Sequence, residues 1–583
     1  MSKKSTTWDL TKIFETEKEY KDKLNEIYSQ INLFEKFKSK LNPENAYLCL
    51  EKESEISKSI EAVYVYASLN RDLDLGNPKY QAETEIVEKL LTDFSTATAF
   101  INPEIAAFSS QDLEKMISDK RYENYDFYLK EILRNKKHIL SKDMEELLSQ
   151  ISAFTTDFKK IFQMFDNADL KYSNIKDSKG NSHKLDHAIY SRHLKSFDRV
   201  LRERAFKKYY KGYIAYKNTI SSTYIASVKK DCSIAKIRKF ENALSKSLYS
   251  DNVKSCVYEN LLNSVNKYLP TLHDYVNLRK KFLGLDEMNM WDMYVPLIQA
   301  ESKDYSYEDA IEIVKKGLLP LGKDYQNLLD KAFSEGWIDV YPLRGKRSGA
   351  YSWGCYTSPP YLLLNYSNTL NDVFTLAHEL GHSMHSYYSD STQCYEKAGY
   401  SIFVAEVAST VNEVLVLKYM LQNAKGEQKK YLLNYYLEMF RTTLFRQTMF
   451  AEFEYLAHKK YENGIPLTGE MLNKEYLKLN KKYYGKGVKH NKEIAYEWAR
   501  VPHFYSAFYV YKYATGLTSA ITIACNLLSD STYVKKYKDF LSSGGSDYPV
   551  ELLKNVGVDL ETETPFITAL NEFESTLKEF ASL

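Results

Sequence analysis

The sequence predicts a mainly helical fold with a small β element set beside one chemically loaded helix. Three observations carry that prediction. Apolar residues recur at helical spacing up to about residue 340, two stretches break the pattern, and the second break runs into a His-Glu-Leu-Gly-His motif.

Near the N-terminus, Ile27, Ile31, Leu33, Phe34 and Phe37 form one apolar stripe with charges between them. Met144, Leu147, Leu148, Ile151 and Phe154 form another at i, i+3, i+4, i+7 and i+10, as expected of a helix packed by one face. Pro103 and Pro270 fall where helices start or stop. This part therefore reads as packed antiparallel helices, and no repeat with a period of about 20–50 residues suggests a solenoid. Asp169 to Asp186 has short alternating runs around Asp177-Ser-Lys-Gly180, which predicts a β-hairpin. Val340 to Asn365 carries Gly345, Gly349, Gly354 and Pro359-Pro360, and reads as a glycine-rich loop leading into a short strand at Tyr361–Asn365. Tyr513 to Leu528 is apolar but broken by Thr515, Gly516, Thr518, Ser519, Thr522 and Asn526, so it predicts a buried helix.

Composition excludes several classes. The 583 residues carry 79 Lys and Arg against 77 Asp and Glu, a net charge of +2, which lacks the basic excess that a nucleic-acid backbone rewards. Aromatic residues at 14% exclude a disordered chain. No run of about 18 apolar residues predicts a membrane span, and the first residues lack an apolar stretch of signal-peptide length. Six scattered cysteines without a Cys-x-x-Cys pair suit reduced thiols, so a cytoplasmic protein is expected.

Residues 378–382 carry the chemistry. On a helix His378 and His382 lie one turn apart, so both imidazoles can grip one metal ion. Glu379 is rotated by about 100° from His378, which sets its carboxylate beside the metal as a base without making it a ligand. Asn371 or Asp372 is the expected cap, and Val373, Ala377, Leu380 and Met384 the buried stripe. His385 lies about 10 Å along the axis from His378, too far to be a third ligand. A third ligand is expected from the apolar stretch Ser401 to Leu415, where Glu406 and Glu413 read as buried carboxylates that need a partner. Glu406 is the expected ligand. Glu413, two turns further on the same face, is suited to hydrogen-bonding a ligand imidazole.

These residues make the sequence similar to a known family. Phe374-Thr-Leu-Ala-His-Glu-Leu-Gly-His-Ser-Met-His-Ser386 followed by Phe403-Val-Ala-Glu-Val-Ala-Ser-Thr410 resembles the oligoendopeptidase F family, related to thimet oligopeptidase and neurolysin among the zinc metallopeptidases. Ser348-Gly-Ala-Tyr-Ser352, Ala168-Asp-Leu-Lys171 and Trp498-Ala-Arg-Val-Pro-His-Phe-Tyr505 extend the resemblance to nearly the whole chain. It implies a helical, closed-ellipsoid zincin-type architecture with one zinc ion at the floor of a deep channel that admits short, flexible peptides. By motif position His378, His382 and Glu406 match the zinc ligands and Glu379 the general base. The family also places a histidine and tyrosines that stabilise the oxyanion near the C-terminus. His503 matches the first, while Tyr505, Tyr509, Tyr511 and Tyr513 compete for the second; Tyr509 and Tyr513, at i and i+4, are preferred because they share a helix face. The implied domains are a helical region over 1–110, an oligoendopeptidase F N-terminal-type helical domain with the hairpin over 111–195, and a catalytic domain over 196–583.

The expected function is zinc-dependent cleavage of internal bonds in short oligopeptides, with neither nucleic acid nor membrane as partner. An exopeptidase is the alternative, needing an anchor for a terminal charge that Arg344, Arg347 or Arg500 could supply. A helical scaffold with a structural metal is a further one, but it gives Glu379 no task. The strand at Tyr361–Asn365 is a candidate to pair with a substrate backbone, with Gly354 allowing close approach.

Overall fold

The computed structural model describes residues 5–298 and 303–583, and helices dominate it. The chain divides into two compact units that interleave along the sequence: Met1–Lys137, Lys303–Gln422 and Ile523–Val558 form one, and His138–Ser302, Asn423–Thr522 and Asp559–Leu583 the other.

In the first unit, helix Glu17–Ile31 starts at Thr16, whose side chain accepts from the Glu19 N–H, and buries Tyr20, Leu24, Ile27 and Ile31. Phe34 continues the stripe in a short turn after the helix ends. These side chains join Ile60, Val63, Leu90, Leu113 and Leu129 in one core. Each fully buried side chain of this size contributes about 1.5–3 kcal/mol.

In the second unit the hairpin forms as predicted: β1 (Ile175–Lys176) pairs antiparallel with β2 (Ser182–His183). Asp177 accepts from the backbone N–H groups of Lys179 and Asn181, and Gly180 turns the chain at φ +88°. The stripe at 144–154 is a different matter. Helix Lys142–Thr155 forms, but Met144, Leu147 and Phe154 are exposed, at 44%, 55% and 60%. Periodicity identified the face of the helix but not what covers it.

The stretch before the His-Glu-Leu-Gly-His helix holds more β structure than a loop and one strand. In the first unit β3 (Ile338–Asp339), β4 (Tyr351–Trp353) and β5 (Tyr361–Leu363) form one sheet, with β5 in the middle, parallel to β3 and antiparallel to β4. Because β5 is central, its Tyr361-Leu-Leu run is buried throughout. That position also overturns the expectation that it pairs with a substrate, since both its edges are taken. Gly354 likewise packs inward: a Cβ there would meet the Pro359 carbonyl oxygen at 2.9 Å and Pro360 Cα at 3.0 Å. Trp8, Val65, Leu69 and Cys355 cover Tyr361 and Leu363. Buried Lys346 Nζ ties the β3–β4 loop by donating to Asp339 Oδ1 at 2.5 Å and the Tyr341 carbonyl at 2.7 Å.

Tyr511–Ser529 is a largely buried helix, as expected, and among the described residues no helix is long and apolar enough to cross a membrane. None of the six cysteines is in a disulfide.

Candidate metal centre

Two helices of the first unit build the site: α1 (Leu370–Thr392) and α2 (Ile402–Asn423). The cap of α1 is Thr369, not Asn371 or Asp372. Thr369 accepts from the Asp372 N–H while the Asp372 side chain accepts from the Thr369 N–H, so Asp372 serves as the reciprocal partner three residues on. Val373, Ala377, Leu380 and Met384 are fully buried, as the stripe predicted.

The crossing of the two helices is set by Gly381, inside the motif itself. A Cβ there would stand 2.4 Å from Ser409 Cα and 2.7 Å from the Ala408 carbonyl oxygen, so only glycine lets the backbones meet. Buried Asn412 locks the contact, donating to the Ala377 carbonyl at 3.1 Å and accepting from Tyr325 at 3.0 Å. This approach brings Glu406, one turn before Ser409, up to the histidines. Gly381→Ala is expected to destabilise the fold by about 1–3 kcal/mol or more, because the obstacle is backbone, and to weaken binding of a divalent ion. Thermal unfolding with and without metal measures both.

His378 Nε2 lies 3.1 Å from His382 Nε2 and 3.4 Å from Glu406 Oε2, and His382 Nε2 lies 3.9 Å from that oxygen. Donors held about 2.0–2.1 Å from one tetrahedral ion stand about 3.3–3.4 Å apart, so the three fit a single zinc-sized cation with a fourth position left over. Among the described residues this is the group of metal-competent side chains that converges. The Nδ1 atom of His378 bonds Glu413 Oε1, which leaves Nε2 to face the other two donors. Glu406 itself corrects the sequence reading, because its side chain is 53% exposed rather than buried. It lies on the same side of α2 as exposed Ile402, one turn earlier, which the apolar composition of the helix concealed.

The electrostatics separate the residues. Burial lowers the His378 imidazole, but Glu406 and Glu413 outweigh it and hold the group up at about 10. Burial and then the charge of His378 push His382 down to about 4. Burial pushes the Glu379 carboxyl up to about 7, against the pull of His378. Glu379 is 7% exposed and outside the converging set, and the backbone N–H of Ser352 on β4 bonds it. That strand is reinforced by the Ser352–Ser383 hydroxyl contact at 2.8 Å. Ser352 ends the stretch Ser348–Ser352 that carries part of the family resemblance, whereas Asn412 has no sequence signal, because it acts through tertiary packing. His385 stacks on Tyr400 at a ring-centroid distance of 3.7 Å and is buried, so it packs.

The second unit holds a cluster of its own. Tyr513 Oη lies 3.3 Å from His503 Nε2, and the Tyr509 ring stacks on His503 at a centroid distance of 5.6 Å. Burial, then Lys159, lowers the His503 imidazole, so it is neutral near pH 7. Of the competing tyrosines, Tyr505 and Tyr511 are buried while Tyr509 and Tyr513 are half-buried. Two of the three arginines considered as terminal anchors are engaged. Arg347 pairs with buried Asp72 at 3.0 Å and Arg500 with Glu497 at 3.1 Å, while Arg344 is exposed.

Comparison with known proteins places the chain among relatives. The sequence model of peptidase family M3 matches residues 192–572, and that of Oligopeptidase F matches 104–172. The chain is 40% identical to oligopeptidase PepF of Bacillus subtilis, covering 100% of this chain and 88% of that protein. It is 38% identical to an oligoendopeptidase F homolog of Lactococcus lactis, covering 99% and 97%. Among solved structures, oligoendopeptidase-F from Enterococcus faecium aligns with a TM-score of 0.75 at 33% identity over 97% of this chain and 98% of that one. A structure from Chlamydophila abortus aligns at 0.94 and 34% identity over 99% and 98%.

Proposed function

Because the chain belongs to peptidase family M3, with oligoendopeptidase F proteins among its relatives, we propose that it is a zinc-dependent endopeptidase of short, unstructured oligopeptides. Membership makes it a metallo-oligopeptidase. The observation that carries the finer reading is the convergence of His378, His382 and Glu406 with Glu379 seated beside them.

In this reading His378, His382 and Glu406 hold one zinc ion, and Glu413 orients His378 by accepting its Nδ1–H. When bound, zinc supplies an acidified water and a Lewis acid for the peptide carbonyl. Glu379 accepts the proton of the attacking water and passes it to the leaving amine. In the metal-free protein burial already lifts its carboxyl towards neutral pH. Neutral His503 and the Tyr509 and Tyr513 phenols are hydrogen-bond donors, to which we assign stabilisation of the developing oxyanion. An extended substrate would pair with an outer strand, and half-buried Tyr351–Trp353, which carries the Ser352 contact to Glu379, is the one we favour. The engagement of Arg347 and Arg500 leaves Arg344 as the candidate anchor on which an exopeptidase reading would rest.

An internally quenched peptide of about ten residues tests the reading, with fragments identified by mass spectrometry. The expected result is internal cleavage that a zinc chelator abolishes and added zinc restores. Trimming from one end only would replace the endopeptidase by an exopeptidase.

A further inference from the structure

Phe508, one position before Tyr509, is held in the left-handed backbone region at φ +54°. A bulky residue there costs about 1–3 kcal/mol and persists only where its surroundings over-determine it. The Phe508 ring is buried against Tyr258 and His458, at centroid distances of 5.9 and 4.6 Å. Its backbone N–H donates to Glu454 Oε1 at 2.7 Å, inside the core of the second unit. Glu454, on helix Arg446–Glu462, is fully buried, and burial pushes its carboxyl well above the usual range. Its other oxygen has no hydrogen-bond partner among the described residues. A buried carboxyl is costly without a partner, and among the described residues the group its side chain bonds is the N–H of the strained residue.

We infer that Glu454 is a positioning residue: by holding the left-handed turn at Phe508 it sets how His503, Tyr509 and Tyr513 present their polar atoms. Tight turns connect the parts. Ser506 N–H donates to the His503 carbonyl at 2.9 Å, Tyr509 N–H to that of Ser506 at 3.2 Å, and Lys512 N–H to that of Tyr509 at 3.2 Å. A change of φ at Phe508 therefore swings Tyr509 off the His503 ring on which it stacks. The inference rests on the assignment of these three side chains to the oxyanion.

Steady-state kinetics of the full zinc-loaded chain on the quenched peptide tests it. Glu454→Ala is expected to lower kcat about 10- to 100-fold with KM within about twofold, the scale of a misplaced catalytic group. Glu454→Gln, whose amide oxygen still accepts from the Phe508 N–H, stays within about threefold of wild type. Phe508→Gly in the Glu454→Ala background restores kcat about fivefold or more, because glycine adopts a positive φ freely. Should Glu454→Ala not fold, Glu454→Met fills the space without an acceptor and carries the same expectation. A wild-type kcat in Glu454→Ala, or a loss that Glu454→Gln shares and Phe508→Gly does not relieve, overturns the inference. His503→Ala separates the two levels. If it is impaired while Glu454→Ala is not, the positioning role alone fails; if it runs at the wild-type rate, the oxyanion assignment beneath it fails.

Discussion

Glu379→Gln is expected to lower kcat by about 10³–10⁴-fold while zinc content and thermal stability stay at their wild-type values. The substitution removes a proton acceptor and changes almost nothing else. Glutamine has the same shape and still offers an oxygen to the Ser352 N–H, and Glu379 is not among the three converging donors. The cause of any rate loss is thereby confined to proton transfer. Zinc content and kcat are measured on the same preparation. Zinc lost along with activity would give Glu379 a structural part. Activity within tenfold of wild type at full zinc would mean that another group takes the proton.

The motif was legible because a helix converts spacing into direction. His378 and His382 at i and i+4 share a side whatever the rest of the chain does, and Glu379 is rotated off it. Glu413 was legible for the same reason, once α2 was recognised as a helix. What could not be read depends on contacts between elements distant in the chain. Gly381 passes for a neutral choice until the Ser409 backbone stands 2.4 Å from its missing Cβ. Ile338–Asp339 and Tyr351–Trp353 are two and three residues long, too short for alternation to register against the surrounding glycines. Glu406 is exposed on a helix of apolar composition: composition describes a helix as a whole, whereas exposure is decided one face at a time. Phe508 gave no warning at all, since a left-handed phenylalanine has no sequence signature and its explanation, Glu454, lies 54 residues earlier on another helix.

Glu406 and Glu413 lie two turns apart on one helix, and the structure predicts unequal consequences for the protein stripped of metal. The Glu406 side chain is 53% exposed, so although it helps hold the His378 imidazole charged, Glu406→Ala is expected to cost the metal-free protein less than about 1 kcal/mol. Glu413, at 15% exposure, is the partner of a half-buried imidazole nitrogen. Glu413→Ala orphans that nitrogen and is expected to cost the metal-free protein about 1–3 kcal/mol. Zinc reverses the ranking. Glu406→Ala removes a ligand, and kcat at sub-millimolar zinc is expected to fall at least about 10³-fold, since two imidazoles alone hold the ion poorly. Glu413→Ala keeps all three ligands and loses only the orientation of one, a change worth about 10- to 100-fold in zinc affinity that added zinc makes good. Melting curves with and without zinc, beside a competition titration against a chromophoric chelator, resolve the four values. Equal zinc affinities in the two variants would remove Glu406 from the ligand set. An unperturbed metal-free Glu413→Ala would mean that the His378–Glu413 contact holds nothing in place before the ion arrives.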